Sequence, residues 1–161
     1  MKKAIETGRL GGFAVDVFPS EPKSNKDLFV SPLQGLKNVI LTPHIGGSTA
    51  EAQENIGLDV AGKLISFLET GSTTGSLSVP ALSLPVQYDA HRLLHIHKNV
   101  PGVLGEINGK LSHLNVNILG QYLKTNNQIG YVVLDVDKKT SAKAMEELKK
   151  VKHTIRVREL Y

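Results

Sequence analysis

The stretch "NVILTPHIGGSTAEAQENIG", residues 38–57, sets the frame for the whole chain. It opens on the apolar run Val39–Leu41, too brief for a helix and soon followed by Pro43, which cannot donate to a sheet ladder. Gly46 and Gly47 come next. Ser48 and Thr49 follow, and either hydroxyl can cap a helix by accepting a bond from a free N–H of its first turn. Ser48 and Glu51 also have capping-box spacing. Beyond them Ile56, Val60, Leu64 and Phe67 recur every three or four positions. That spacing predicts a helix over 48–70 with one buried face, ended by Gly71. A lone histidine at the strand end, His44, is a weak signal, because imidazoles commonly sit at intermediate burial. A carboxylate within reach changes this, since it orients the ring and stabilises its charged form for proton transfer.

Working upstream, "MKKAIETGRL" reads as the end of a helix and "GGFAVDVF" as a short buried strand. "PSEPKSNKDLFVSP" is a proline-broken loop, and "NVILTPH" a second buried strand. Helix, strand, loop and strand, with nearly continuous apolar strands, is the pattern of a parallel α/β sheet. Two strands are too few for such a sheet, so residues 1–46 read as the end of a larger domain. Adjacent parallel strands bring the loop after the first close to the end of the second. Glu21 then lies near His44 as an acid–base partner, and Asp16 ends the first strand at the edge where α/β sheets bind ligands.

Working downstream, "GSTTGSLSVPALSLP" has no helical period and reads as a linker with a short extended piece. A complete small unit follows. "RLLHIHKN" is a strand, and "PGVLGEINGKLSHLN" a helix with Pro101 near its first turn. "VNILGQYLKT" and "IGYVVLDVD" form a hairpin about "NNQ". "SAKAMEELKKV" is a helix capped by Ser141, and "TIRVREL" a last half-exposed strand. The order βαββαβ predicts a ferredoxin-like sheet with two helices on one face and the other face free. The fold class is therefore α/β (α+β), with residues 1–46, 47–85 and 86–161 as its three parts.

The totals narrow the possibilities. Hydrophobic residues make up 40% and charged residues 21%, as in ordinary globular proteins. There is no cysteine, which excludes disulfides and thiolate metal sites. No apolar run approaches the roughly 18 residues of a membrane span, and no apolar core follows Lys2 and Lys3 as in a signal peptide, so a cytoplasmic location is expected. Of the net charge of +4, the basic excess falls in residues 91–161, with 12 basic against 6 acidic groups. Much of it sits in "KKVKHTIRVR" and is read as a solvated surface.

Three motifs carry a resemblance: "GRLGGFAVDVFPSEP", "NVILTPHIGGSTAEAQENIG" and "HIHKNVPGVLGEINGKL". Together they resemble the C-terminal part of the bacterial D-3-phosphoglycerate dehydrogenases, within the D-isomer-specific 2-hydroxyacid dehydrogenase family. The final βαββαβ unit resembles the ACT regulatory domain of those enzymes. The resemblance implies the truncated end of a Rossmann-like NAD-binding domain (1–46), a substrate-domain helix and linker (47–85), and an ACT domain (86–161). It implies NAD-dependent oxidation of 3-phosphoglycerate, the first step of L-serine biosynthesis. His44 matches the catalytic acid–base histidine, Glu21 its partner carboxylate, and Asp16 a residue approaching the nicotinamide. Gly46 and Gly47 match a hinge. His97, Asn99 and Asn117 match the residues that bind L-serine, the feedback inhibitor, between two subunits of a dimer or tetramer.

No GxGxxG loop occurs in the sequence, and the resemblance places the substrate-binding arginine ahead of residue 1. Catalysis and NAD binding are therefore not expected of this chain alone. "LPVQYDAHRLL" has no glycine pair, which argues against a flexible hinge there. The alternative is a stand-alone ACT dimerisation module that binds an amino acid and has no enzymatic role. His95 and His97, two apart on a strand, have a spacing that can hold a metal, but no third ligand is evident. A βαββαβ unit also suits RNA binding. Tyr131, however, stands without the basic-aromatic run such modules use, so no nucleic-acid partner is expected.

Overall fold

The computed structural model describes residues 1–24 and 26–161. Asn25, inside the proline-broken loop expected over residues 19–32, lies outside them. The chain divides into two units, residues 1–57 and 58–161.

In the first unit, α1 (Lys2–Glu6) precedes β1 (Phe13–Val15) and β2 (Val39–Leu41). The strands pair in parallel, Phe13 against Val39 and Val15 against Leu41, as their apolar runs predict. The long helix α2 (Ala50–Thr70) starts here. Its cap is Thr49, whose Oγ1 accepts the Ala52 N–H at 3.1 Å. Ser48 instead gives its N–H to the Ile45 carbonyl at 2.9 Å, closing the turn that holds Gly46 and Gly47.

Burial in this part departs from expectation. Ile40, in the middle of β2, is 64% exposed, and Phe13 and Val15 are only half covered. Ile56, Val60 and Leu64, expected to form the buried face of α2, are exposed as well, and only Phe67 is partly buried. The periodicities are right, but an apolar face is buried only by a second layer. Among the described residues of this unit the two-stranded sheet has none.

The second unit is a four-stranded antiparallel sheet in the order β4-β5-β3-β6, with β3 His91–Lys98, β4 Ile118–Thr125, β5 Ile129–Val136 and β6 Thr154–Glu159. Helices α3 (Val103–His113) and α4 (Ser141–Lys149) complete the βαββαβ order. Strand alternation sorts the side chains. Leu93, Val132, Leu134 and Val136 meet Ile107, Leu111, Ala144 and Leu148 from the helices in the main core.

The opposite face is not free. Leu94, Tyr131 and Val133 are covered there by Leu84, with Phe67, Leu82 and Leu160 packed around them. The expected linker is thus a packed strap. Thr73 N–H bonds the Leu82 carbonyl at 2.8 Å, Thr73 Oγ1 donates to the Pro80 carbonyl at 2.7 Å, and Leu84 N–H donates to Ser72 Oγ at 3.0 Å. The strap begins at Gly71, whose φ is +74° and whose carbonyl accepts the Tyr131 hydroxyl at 2.6 Å. A Cβ at 71 would stand 2.7 Å from Leu94 Cδ2, so this position needs glycine on two counts.

Two helix starts are also corrected. α3 begins at Val103 behind Gly102, which takes φ +92°, so Pro101 lies outside the first turn. α4 is preceded by Thr140, not capped by Ser141. Asp137 accepts the N–H groups of Lys139 and Thr140 at 2.9 and 3.1 Å, so the chain has already turned before Ser141.

Candidate functional site

The first cluster lies at the C-terminal ends of β1 and β2. His44 Nδ1 is 2.9 and 3.0 Å from the two oxygens of Glu21. The Glu21 loop is closed on itself, because Glu21 Oε1 also accepts the Phe18 N–H at 2.9 Å. The Phe18 ring packs edge-on against Phe29 at 4.7 Å. Asp16 ties the strand ends together: one carboxylate oxygen accepts the Thr42 hydroxyl at 2.6 Å and the His44 N–H at 3.0 Å. Pro43 forces Thr42 toward an extended backbone, and His44 then takes φ +51°, a conformation rare outside glycine. The anchored N–H of His44 helps to hold it there.

The electrostatics follow from these bonds. Hydrogen bonding to Glu21, and then its charge, raise the His44 pKa above the usual histidine value. The Phe18 N–H, and then the bond to His44, hold the Glu21 carboxyl below its usual range. The Thr42 hydroxyl is the main cause of the lowered Asp16 value. An ionised carboxylate only accepts, so Nδ1 carries the proton. His44 Nε2 is then left as the lone pair that can take a proton from a substrate. An open cleft lined by Phe18, Glu21, Phe29, Thr42, His44 and Ser48 surrounds it.

The structure therefore brings Asp16, Glu21 and His44 together. Gly46 and Gly47 sit in the turn just beyond, where the Gly47 carbonyl accepts from the Gln53 amide, and neither takes a positive φ. Thr42 and the Phe18 N–H are parts of the cluster that sequence reading missed. The signal for Thr42 was its place one residue before Pro43, opposite Asp16 on a parallel neighbour.

The second cluster is at one end of the antiparallel sheet. His97 is buried, its ring packed on Gly130, its partner across the strands. His97 Nδ1 is 3.3 Å from His95 Nδ1, and His95 Nε2 is 2.9 Å from Thr154 Oγ1. Asn99 is exposed at the turn before α3, with its amide donating to the Asn126 carbonyl at 2.7 Å. Asn117 is exposed at the start of β4, and its side chain makes no hydrogen bond among the described residues. The registers place Ile118 beside Val136 and His97 beside Gly130. Asn117 is thus about 20 Å along the sheet from His97, at about 3.3 Å per residue. The two cannot share a small ligand within one chain.

Among the described residues no group of three or more His, Asp or Glu side chains could hold a metal ion. Nor is any helix long and apolar enough to cross a membrane. Tyr131 is wholly buried, so it offers no platform for a base.

Comparison with known proteins follows the division seen here. Residues 1–46 match the D-isomer specific 2-hydroxyacid dehydrogenase, NAD binding domain. Residues 93–156 match the AHAS small subunit-like ACT domain. Over all 161 residues the chain is 50% identical to D-3-phosphoglycerate dehydrogenase of Haemophilus influenzae, and over 160 residues 51% identical to that of Escherichia coli K12. The matches fall in the C-terminal part of those proteins. The chain spans 39% of the length of each. Among solved structures, the ACT domain from GTP pyrophosphokinase of Chlorobium tepidum aligns at 22% identity. It covers 44% of this chain and 95% of that one, with a TM-score of 0.40.

Proposed function

We propose, for a chain that belongs to the D-isomer specific 2-hydroxyacid dehydrogenase family, that it is the part of a D-3-phosphoglycerate dehydrogenase carrying the acid–base histidine and the serine-sensing domain. The observation that carries this reading is the His44–Glu21 pair, held at 2.9 and 3.0 Å. In the oxidation of 3-phosphoglycerate, His44 Nε2 takes the hydroxyl proton while Glu21 holds the ring by Nδ1 and stabilises the imidazolium that forms. NAD, when bound, accepts the hydride. Asp16 uses one oxygen on Thr42 and His44, and its other oxygen makes no hydrogen bond among the described residues, which suits the carboxamide of a nicotinamide. The phosphate cradle is not in this sequence, so the chain by itself holds no NAD and turns over no substrate.

The second unit acts as the regulatory half. His97 and Asn99 of one copy and Asn117 of another hold L-serine between them, a reading supported by the separation of His97 and Asn117 at the two ends of the sheet. Serine binding favours one arrangement of the domains that move about Gly46–Gly47, so turnover falls by a shift in population. The protein works in the cytoplasm as a dimer or tetramer, without nucleic acid or membrane. The alternative, an ACT module without enzymatic role, leaves the strained and anchored His44 without a use.

The test is a chimera in which this chain follows the preceding part of the Haemophilus influenzae relative. The chimera is expected to reduce NAD with 3-phosphoglycerate, and His44→Ala to lower kcat by about 10²–10⁴-fold, the span of general acid–base catalysis. An active chimera indifferent to His44→Ala would overturn the assignment.

A further inference from the structure

His95 is wholly buried and no function above uses it. Its two ring nitrogens are both committed. The Thr154 hydroxyl has one hydrogen and lies 2.7 Å from the Val151 carbonyl, with the Leu148 carbonyl at 3.4 Å. Carbonyls only accept, so that hydrogen goes to Val151, and Thr154 Oγ1 must accept from His95 Nε2–H. The Leu148 carbonyl also favours a proton on His95. Burial, with the neighbouring His97, pushes the His95 pKa down to about 4, so the ring is neutral and holds only that one hydrogen. Its Nδ1 is therefore a bare acceptor, and the hydrogen between the two Nδ1 atoms belongs to His97. Burial lowers the pKa of His97 too. A neutral His97 with its proton on Nδ1 leaves Nε2 as a lone pair.

That atom is placed to meet a ligand. His97 Nε2 makes no hydrogen bond among the described residues. No fully buried side-chain nitrogen or oxygen there lacks a partner, so Nε2 keeps a small solvent-facing surface although His97 is only 3% exposed. Gly130 leaves it room, since a Cβ at 130 would overlap it.

Resting on the effector reading above, we infer that Thr154 and His95 are positioning residues, a two-step relay that fixes the tautomer of His97 so that it accepts a hydrogen bond from an ammonium or hydroxyl group of the amino acid. The neutral site refuses a carboxylate at this point, because two acceptors would face each other. Neither His95 nor Thr154 touches the ligand, and both select which end of it His97 receives.

Long-range proton–nitrogen NMR on the full chain, labelled with ¹⁵N-histidine, reads the tautomers directly. The relay predicts a protonated Nε2 with bare Nδ1 on His95, and a protonated Nδ1 with bare Nε2 on His97. A His97 protonated on Nε2 in the neutral form would overturn it. Adding L-serine is expected to shift the His97 Nε2 signal without changing the tautomer. The predicted tautomers with no response to serine would leave the relay standing and overturn the effector reading alone. His95→Phe removes the acceptor and is expected to weaken L-serine about tenfold, the equivalent of one hydrogen bond. His95→Asn, whose oxygen can take the place of Nδ1, is expected to restore most of that affinity. Equal affinity in His95→Phe and the parent would overturn the coupling.

Discussion

At His44, two oxygens of one carboxylate meet a single ring nitrogen, and that geometry fixes both tautomer and pKa. Glu21 raises the His44 value, so Glu21→Gln is expected to lower it toward the ordinary histidine range near 6.5. Proton-detected NMR titration of the His44 ring measures this, and an unchanged value would mean the pair does not form in solution. The sign carries into stability. A folded value above the unfolded one gives a contribution fully present below pH 6.5 and lost as the pH rises through the raised value. In the active chimera proposed above, where base catalysis needs the neutral ring, Glu21→Gln is also expected to move the rise of the rate with pH to lower pH.

His44, Glu21 and Asp16 were legible because parallel strands leave their ends side by side, whatever the intervening loop does. Thr42 and the Phe18 N–H were not. A backbone donor is not written in residue type, and a threonine before proline has many structural uses. The burial of His97 was equally hidden, since a histidine two residues from another reads the same whether it faces solvent or a core.

Among the elements, the strap is where sequence and structure part. A run rich in glycine, serine and proline has the same composition whether loose or packed. What decides is that Ser72 and Thr73 bond to backbone groups of residues 80–84, with Leu82 and Leu84 set on the open face of the sheet. The end of α2 and the strap are held by Arg92. Its side chain is fully buried and bidentate to Asp135 at 2.6 and 2.7 Å, and a third nitrogen bonds the carbonyls of Thr70 and Pro85 at 2.9 and 2.7 Å. A charge at the start of a strand was the visible signal, without its partners.

Removing one member strands a buried charge. Arg92→Met is therefore expected to destabilise the second unit by about 3–5 kcal/mol in urea denaturation. Arg92→Met with Asp135→Leu is expected to regain most of that loss. A small cost for Arg92→Met alone would show that the clamp is open in solution. The βαββαβ order, by contrast, was readable throughout, because each strand and helix keeps its own period and the turns at 126–128 and 137–140 are marked by Asn and Asp.

At the scale of the whole molecule, apolar groups lie outside any core. Ile40, Ile56, Leu58, Val60, Leu64 and Leu68 are all exposed. β1 and β2 have outer edges without a partner among the described residues. Such surface and such edges associate. Sedimentation velocity at micromolar concentration is expected to show a dimer or larger species, and a single monomer boundary would contradict this. His97 and Asn117 lie at opposite ends of the sheet, so the effector site proposed above needs such an association to bring them to one small ligand.

The measurement that bears most directly on the account is calorimetric titration of L-serine into the purified chain, with D-serine as control. Saturable heat with the L-enantiomer alone is the predicted result: a regulatory pair assembled from two copies and selective for its effector. No heat at concentrations where the chain is dimeric, or equal heat from both enantiomers, would contradict it.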